Sequence, residues 1–127
     1  MEKLTKGQLE LEISEAMIKF EKEFMGRGPK ETKTYLLKDM LFVRLKGVLT
    51  PAEKQLSKTA EGATLIKKTR VQLLEGARPL LKNIISEITG CQIKSLHTDI
   101  STKTGERVII FILDQNLELK YKALGNS

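Results

Sequence analysis

The first part of the chain has the apolar spacing of an amphipathic helix. Between residues 7 and 24, apolar side chains recur every three or four positions, with glutamates elsewhere around the helical wheel. The apolar members are Leu9, Ile13, Ala16, Met17, Phe20 and Phe24. Gly26 suits the left-handed conformation that ends helices, and Pro29 cannot continue one. We therefore predict a helix over residues 7–24 that stops at Gly26.

Two segments with the composition of strands follow this helix. Residues 33–37 and 40–45 are rich in strand-forming residues and are separated by only two positions, which predicts a β-hairpin. Side chains alternate between the two faces of a strand. Leu41, Val43 and Leu45 are therefore expected to share one face of the sheet.

Residues 49–53, Leu-Thr-Pro-Ala-Glu, give the sharpest local signal in the chain. Thr50 is a favourable N-cap, Pro51 suits the first helical position, and Glu53 stands where it completes a capping box. A helix is predicted to begin at Pro51.

A longer helical pattern covers residues 64–89, and Gly62 marks an interruption before it. The apolar stripe of this pattern comprises Ile66, Leu73, Ala77, Leu80, Ile84 and Ile88, widened by Leu74, Leu81 and Ile85. Pro79 lies inside the pattern, where a proline removes one backbone donor and clashes with the preceding turn. We expect a kink at residues 76–79, not a new domain.

The last part of the chain returns to strand-like sequence. Residues 92–100 and 107–113 predict two strands, joined by a polar loop in which Gly105 takes the left-handed conformation. Residues 115–127 are expected to add a short helical turn or to fray.

These elements predict an α+β fold built from two helix–β-hairpin units in the order αββ-ααββ. Gly26 and Gly90 stop a helix at equivalent places in the two halves. The natural arrangement is a four-stranded antiparallel sheet with the helices packed on one face. The other face is expected to be exposed, or buried in a homodimer. Residues 1–127 would form a single domain, with its core in residues 6–114.

Composition and charge narrow the classes of function. The 127 residues carry a formal net charge of +6 and contain one cysteine, so no internal disulfide forms and a cytoplasmic location is expected. No apolar run approaches the roughly 20 residues of a membrane-spanning helix. A basic protein suits acidic partners, including nucleic acid. Basic and acidic residues are intermixed, however, and only 5% of residues are aromatic, which disfavours nucleic acid.

Two basic features have competing interpretations. Residues 26–30, Gly-Arg-Gly-Pro-Lys, form either a structural turn or a small anion-binding nest, and the turn is favoured because no phosphate-loop sequence follows. The basic residues of the long helical pattern form either a binding ridge or a solvated face, and the solvated face is favoured. They are Lys67, Lys68, Arg70, Arg78 and Lys82.

A catalytic or metal site lacks the residues it needs. His97 and Asp99 are two positions apart on a predicted strand, so the carboxylate could orient the imidazole. Cys91 lies roughly 20 Å along an extended chain from His97, too far to form a nucleophile and base pair. One cysteine and one histidine are too few ligands for a structural zinc site. We therefore expect no enzyme, no metal and no cofactor.

Four segments carry a resemblance to a known family. They are GRGP (26–29), LKGVLTPAE (45–53), ARPLL (77–81) and HTDISTKTGER (97–107). Residues 6–114 resemble the MpsC family, whose name refers to a sodium-translocating, membrane-potential-generating system. The resemblance implies a small bacterial protein associated with a membrane ion-translocating or inorganic-carbon system. It brings no catalytic residues.

The sequence thus predicts a non-enzymatic accessory or regulatory protein that acts in the cytoplasm or at the inner face of the membrane. It is expected to be a homodimer and to bind a membrane-protein partner or a small anion through loops on a rigid sheet. The alternative is a nucleic-acid-binding module of small α+β type. The candidate contact residues are Arg27, Arg78, His97, Asp99, Thr102 and Arg107.

Overall fold

Helices and β-hairpins alternate along the chain in a computed structural model that describes residues 4–123. The elements are α1 (Lys6–Met25), β1 (Glu31–Leu37), β2 (Met40–Lys46), α2 (Pro51–Leu56), α3 (Ala60–Gly76), α4 (Arg78–Thr89), β3 (Ile93–Ser101), β4 (Glu106–Leu113) and α5 (Leu117–Ala123). The predicted α+β class and both helix–hairpin units are confirmed. The short helix expected in the tail is α5.

Local capping chemistry sets the helix ends where the sequence predicts them. Thr50 N donates to Oε1 of Glu53 at 2.9 Å, and Glu53 N donates to Oγ1 of Thr50 at 3.1 Å. This reciprocal pair is the predicted capping box at the start of α2. Gly26 and Gly90 end α1 and α4 with φ values of 78° and 72°, a left-handed conformation that suits glycine.

The long helical pattern is two helices, not one kinked helix. α3 ends at Gly76 and α4 begins at Arg78, which places Pro79 in the first turn of α4. A proline there loses no helical hydrogen bond, because the first amides of a helix have no intrahelical partner. The break also shifts the buried stripe. Leu73 and Leu80 are 46% and 38% exposed, and the buried residues are Ile66, Leu74, Ala77, Leu81 and Ile85.

A single antiparallel sheet carries the fold, with strand order β1-β2-β4-β3. Its central pair, β2 and β4, joins the two hairpins. α1 packs against β1, and α3 and α4 pack against β3. The face toward the helices supplies most of the core, which includes the predicted Leu41, Val43 and Leu45 together with Ile109 and Phe111, all fully buried. We call this side the covered face.

The other side of the sheet, which we call the open face, is divided into an apolar half and a charged half. Two adjacent rows of the strand register hold six apolar residues on β1, β2 and β4 and end on β3 at Ser95 and His97; the six are Tyr35, Leu37, Met40, Phe42, Ile110 and Ile112. The charged residues occupy the next two rows: Glu31, Lys33, Arg44, Lys46, Asp99 and Glu106. Tyr35 is 53% and Leu37 47% exposed, so the apolar half faces solvent.

Gly62 permits a close approach between α2 and α3. A Cβ at this position would lie 1.8 Å from the carbonyl oxygen of Leu56, whereas one at Gly76 would meet nothing within 4 Å. We expect Gly62→Ala to lower the free energy of unfolding by about 1–3 kcal/mol, since the α2–α3 turn must shift. The matched control, Gly76→Ala, should stabilise the protein by about 0.5–1 kcal/mol. Urea unfolding measures both, and equal stabilities for the two variants would contradict the packing described.

None of the helices within residues 4–123 is both long enough and apolar enough to cross a membrane.

Candidate functional site

A pocket of about 390 Å³ opens between α2 and the loop that joins β3 to β4. We call it the hairpin pocket. Its lining consists of Leu49, Lys54, Ser57, Lys58, Thr102, Lys103, Thr104 and Gly105. Leu49 is buried, and most of the other lining residues are polar.

Backbone hydrogen bonds hold the β3–β4 loop against the segment that follows β2. Val48 N donates to the carbonyl oxygen of Gly105 at 3.0 Å. Within the loop, Gly105 N donates to the carbonyl oxygen of Ser101 at 2.9 Å, and Thr104 N donates to Oγ of Ser101 at 3.2 Å. The wall of the pocket that carries Thr102 and Thr104 is therefore built on a bonded turn.

The hairpin pocket is positively charged. Lys54, Lys58 and Lys103 are all exposed, and within residues 4–123 none of them lies within 4 Å of a carboxylate oxygen. Ser57, Thr102 and Thr104 add hydroxyl groups to the lining. Ammonium and hydroxyl groups both donate hydrogen bonds to oxyanions. The lining chemistry suits a small oxyanion.

Two of the six predicted contact residues lie in loops. Thr102 lines the hairpin pocket. Arg27 is half-buried in the loop between α1 and β1, where Lys30 N donates to the carbonyl oxygen of Lys46 at 2.8 Å. Because Gly26 caps α1 and Lys30 extends the β1–β2 ladder, this segment has the structural turn favoured from its sequence.

His97 and Asp99 share the open face, as their spacing predicts, but each has another partner. Nε2 of His97 lies 3.3 Å from Oγ of Ser95. Nζ of Lys67 lies 3.2 Å from Oδ1 of Asp99. A backbone hydrogen bond from Ile100, and then Lys67, hold the pKa of Asp99 below its usual value. Neither side chain is among the lining residues of the hairpin pocket.

Arg78 and Arg107 are held within the fold. Arg78 donates to Oε2 of Glu75 at 2.7 Å and to the carbonyl oxygen of Leu96 at 2.9 Å, so it ties the α3–α4 junction to β3. Arg107 is 1% exposed on the covered face, which corrects its predicted place in a surface contact. The reason is strand alternation, which turns Arg107 to the covered face while Glu106 and Val108 point to the open face. The six predicted residues therefore do not form one surface site.

Beneath the sheet, Arg107 belongs to a buried ionic cluster of two acids and two bases. Arg70, on α3, donates to both carboxylate oxygens of Glu53, at 2.9 and 2.5 Å, and to the carbonyl oxygen of Val48 at 2.9 Å. Nη1 of Arg70 lies 4.0 Å from Oε1 of Glu21, which is fully buried on α1. Nη1 of Arg107 donates to Oγ1 of Thr98 at 3.2 Å.

The charges of this cluster depend on each other. Burial raises the pKa of Glu21 above its usual 4.5, and the positive charges of Arg107 and Arg70 oppose that rise. Burial also lowers the pKa of Arg107. Within residues 4–123, both oxygens of Glu21 and the Nε and Nη2 atoms of Arg107 have no hydrogen-bond partner. Coulomb attraction, which is strong away from water, is therefore the main favourable interaction between these two groups.

Sequence reasoning missed both the pocket lysines and the buried cluster. Arg70 was expected in a ridge or a solvated face, yet it is 3% exposed. The buried cluster did leave a signal in the sequence. Arg70 lies four residues after Ile66, and Glu21 lies four residues after Met17, so both are in phase with a buried apolar stripe. A charged residue in phase with an apolar stripe indicates a buried ion. The sequence held no comparable signal for Lys54, Lys58 and Lys103. These lysines meet only because the fold brings α2, the α2–α3 turn and the β3–β4 loop together.

The fold and these sites describe a small α+β protein with a basic pocket and a half-apolar sheet face. The chain belongs to the MpsC family, described as "Na+-translocating membrane potential-generating system (MpsC)", which matches residues 5–115. This confirms the family resemblance of the sequence, and the family name suggests involvement in a membrane-potential-generating system. No solved structure gives a significant match to the chain.

Two curated relatives come from Bacillus subtilis (strain 168). "Uncharacterized protein YbcI" is 48% identical over 116 residues, covering 91% of this chain and 94% of the relative. "Uncharacterized protein YrhF" is 25% identical over 114 residues, covering 89% of this chain and 93% of the relative. The similarity to both relatives therefore extends over nearly the whole fold, including the elements that form the hairpin pocket.

Proposed function

We propose that this protein is a non-enzymatic accessory or regulatory component of a membrane ion-translocating system. It binds a small oxyanion in the hairpin pocket, and through its loops it contacts a membrane protein of that system from the cytoplasmic side. We also propose that it acts as a homodimer. The family description supports the link to ion translocation. The observation that carries the proposal is the convergence on one polar pocket of three lysines that have no carboxylate partner within residues 4–123.

The pocket chemistry favours an oxyanion over a simple halide. Lysines from α2, the α2–α3 turn and the β3–β4 loop all line the pocket, so an anion with several oxygens can accept from more than one of them. The hydroxyls of Thr102 and Thr104 add donors that a polyatomic anion can use. Bicarbonate, phosphate and sulfate are suitable probes, and chloride is the control.

Anion binding is tested by following backbone amide NMR signals during titration with each probe. Bicarbonate or phosphate should shift the signals of Thr102, Thr104 and Gly105 at millimolar concentration, and chloride should not. The double variant Lys54→Gln/Lys103→Gln should weaken binding by about tenfold or more, since it removes two charge-assisted donors. The control Lys19→Gln/Lys68→Gln changes the net charge equally at sites outside the hairpin pocket. Titrations in which the two double variants behave alike would refute the site.

The accessory role is tested in cells of the native host. Deleting the gene should reduce the sodium-dependent part of the membrane potential, measured with a potential-sensitive dye. The wild-type gene should restore it, and Lys54→Gln/Lys103→Gln should restore less. An unchanged potential after deletion would refute the accessory role, whatever the anion titration shows.

A further inference from the structure

We infer that two copies of this protein pair through their open faces, with the two-fold axis parallel to the strands. This inference gives a specific geometry to the homodimer proposed above and does not depend on the hairpin pocket. It starts from the apolar half of the open face. Phe42, the central ring of that half, is 36% exposed, beside Tyr35 on one flank and Ile110 on the other. Contiguous exposed apolar surface of this kind marks an interaction site.

The charge of the open face favours a second copy as the partner. The whole chain carries +6, but the charged half of the open face holds three acidic and three basic residues, which sum to zero. Two identical basic proteins repel each other wherever positive surfaces meet. The open face is where that repulsion is absent. A nucleic acid would find aromatic rings there but no net positive charge for its phosphates.

Strand register selects the direction of the two-fold axis. Rotation about an axis parallel to the strands lays β1 over β3 of the second copy and β2 over β4, and it keeps each row of side chains over the same row. The central apolar side chains then meet each other, with Phe42 facing Ile110 of the second copy, and Tyr35 faces His97 of the second copy at the edge. Rotation about the perpendicular in-plane axis would lay the apolar rows over the charged rows. Only the first arrangement keeps the charged groups away from the apolar half.

The same rotation makes the charged half complementary to itself. Lys33 and Asp99 lie in one row at opposite edges of the sheet, so each faces the other residue of the second copy. Lys46 and Glu106 lie one position beyond the last β2–β4 pair, Leu45 and Arg107, and exchange partners in the same way. A self-complementary patch is what an isologous dimer requires. Asp99 and Glu106 also pair with Lys67 and Arg44 of their own copy, and the opposite charges of the second copy add to these pairs and fix the register.

The area of the open face suits a dimer of moderate affinity. Four strands about 4.8 Å apart and seven residues long cover a flat area of about 450 Å². Two such faces bury roughly 900 Å² before side-chain relief is counted, close to the minimum of about 1,000 Å² for a specific interface. The pair is therefore expected to dissociate at roughly micromolar concentration.

The first test is the oligomeric state by sedimentation velocity across a concentration series. The wild-type protein should pass from monomer to dimer at roughly micromolar concentration. Phe42→Glu should weaken the dimer by about 100-fold or more, because it buries a charge against Ile110 of the second copy. A wild-type protein that stays monomeric at about 500 μM, or a Phe42→Glu variant that pairs like the wild type, would overturn the inference.

A charge-reversal series tests the geometry through the recovery of a double variant. Lys33→Glu and Asp99→Lys should each weaken the dimer by about tenfold, and the combination Lys33→Glu/Asp99→Lys should restore it to within about threefold of the wild type. Lys19→Glu makes the same change of net charge as Lys33→Glu, but on α1, and should leave the dimer unchanged. Failure of the combination to recover would exclude this two-fold axis.

Anion titration of the Phe42→Glu monomer separates the dimer from the proposed function. The pocket lysines lie outside the open face, so this variant should bind bicarbonate or phosphate as the wild type does. Loss of dimerisation with intact anion binding is the expected combination. If the monomer loses anion binding together with pairing, the pocket and the open face are coupled, which would contradict a dimer interface separate from the hairpin pocket.

Discussion

Replacing Arg107 by methionine is expected to lower the free energy of unfolding by about 3–5 kcal/mol, the usual cost of leaving one buried ion without its counter-charge. The ion left behind is Glu21, which is fully buried and has no hydrogen-bond partner within residues 4–123. Adding Glu21→Gln to Arg107→Met removes that ion as well. The double variant is therefore expected to recover a large part of the loss. Urea unfolding of the two single variants and the double variant measures the coupling.

The destabilisation by Arg107→Met should increase with pH. Glu21 has a raised pKa in the folded protein, so its protonation stabilises the fold below about pH 4.5. This contribution is lost as the pH rises through the pKa that Glu21 has in the folded protein. Arg107 is the strongest positive charge opposing the rise, so its removal raises the pKa of Glu21 further. The Arg107→Met variant should then differ more from the wild type at pH 8 than at pH 5.

The double variant Glu21→Gln/Arg107→Met supplies the control, because its stability difference from Glu21→Gln should not show this increase. Two results would contradict the ionic interpretation. One is a double variant as unstable as Arg107→Met itself. The other is a stability loss in Arg107→Met that is the same at both pH values, which would indicate lost packing instead of an uncompensated carboxylate.

Glu53→Ala is expected to be the second most damaging substitution, with a loss of about 3–5 kcal/mol. Glu53 serves two structures at once. It completes the capping box of α2 with Thr50, and it holds the buried Arg70 through two hydrogen bonds. The control is Thr50→Ala, which removes only the capping hydroxyl and should cost about 1 kcal/mol. The difference in the free energy of unfolding between the two variants measures the contribution of the hydrogen bonds from Arg70 to Glu53.

The pH dependence of Glu53 has the opposite sign to that of Glu21. Burial alone would raise the pKa of Glu53, but the hydrogen bonds from Arg70 and Thr50 outweigh it and lower the pKa. The stabilising contribution of Glu53 is therefore present above about pH 4.5, and it is lost as the pH falls through the pKa that Glu53 has in the folded protein. Glu53→Ala should differ most from the wild type at neutral pH and less at pH 3. A loss no larger than that of Thr50→Ala would contradict the role assigned to Arg70.

The elements whose causes are local were predictable from the sequence. Gly26 and the capping box of Thr50 and Glu53 depend on residues within a few positions of each other, and both hold in the structure. The prediction of one kinked helix over residues 64–89 was wrong at Ala77 for a related reason. Pro79 is equally compatible with a kink and with the first turn of a new helix, and packing against the sheet decides between them.

The candidate site was only partly predictable. Thr102 was identified within a polar loop, and the structure places it in the hairpin pocket. Lys54 and Lys58, which line the pocket with Thr102, belong to another part of the chain. Their spacing in the sequence says nothing about their distance from the β3–β4 loop in the fold. Arg107 was assigned to a surface contact because it follows a polar loop, although it is the first covered-face residue of β4. A one-residue change of strand phase separates a surface contact from a buried ion.

By itself, the sequence determined the α+β class, the order of helices and hairpins, the caps, and membership of the MpsC family, because each is encoded in local pattern and spacing. The tertiary structure alone decided which charges are buried, which lysines meet in a pocket, and that the open face is neutral and half apolar. These features depend on the β2–β4 pairing, which brings residues more than 60 positions apart into one row. Long-range pairing of this kind is settled by burial of the whole sheet and not by any single segment.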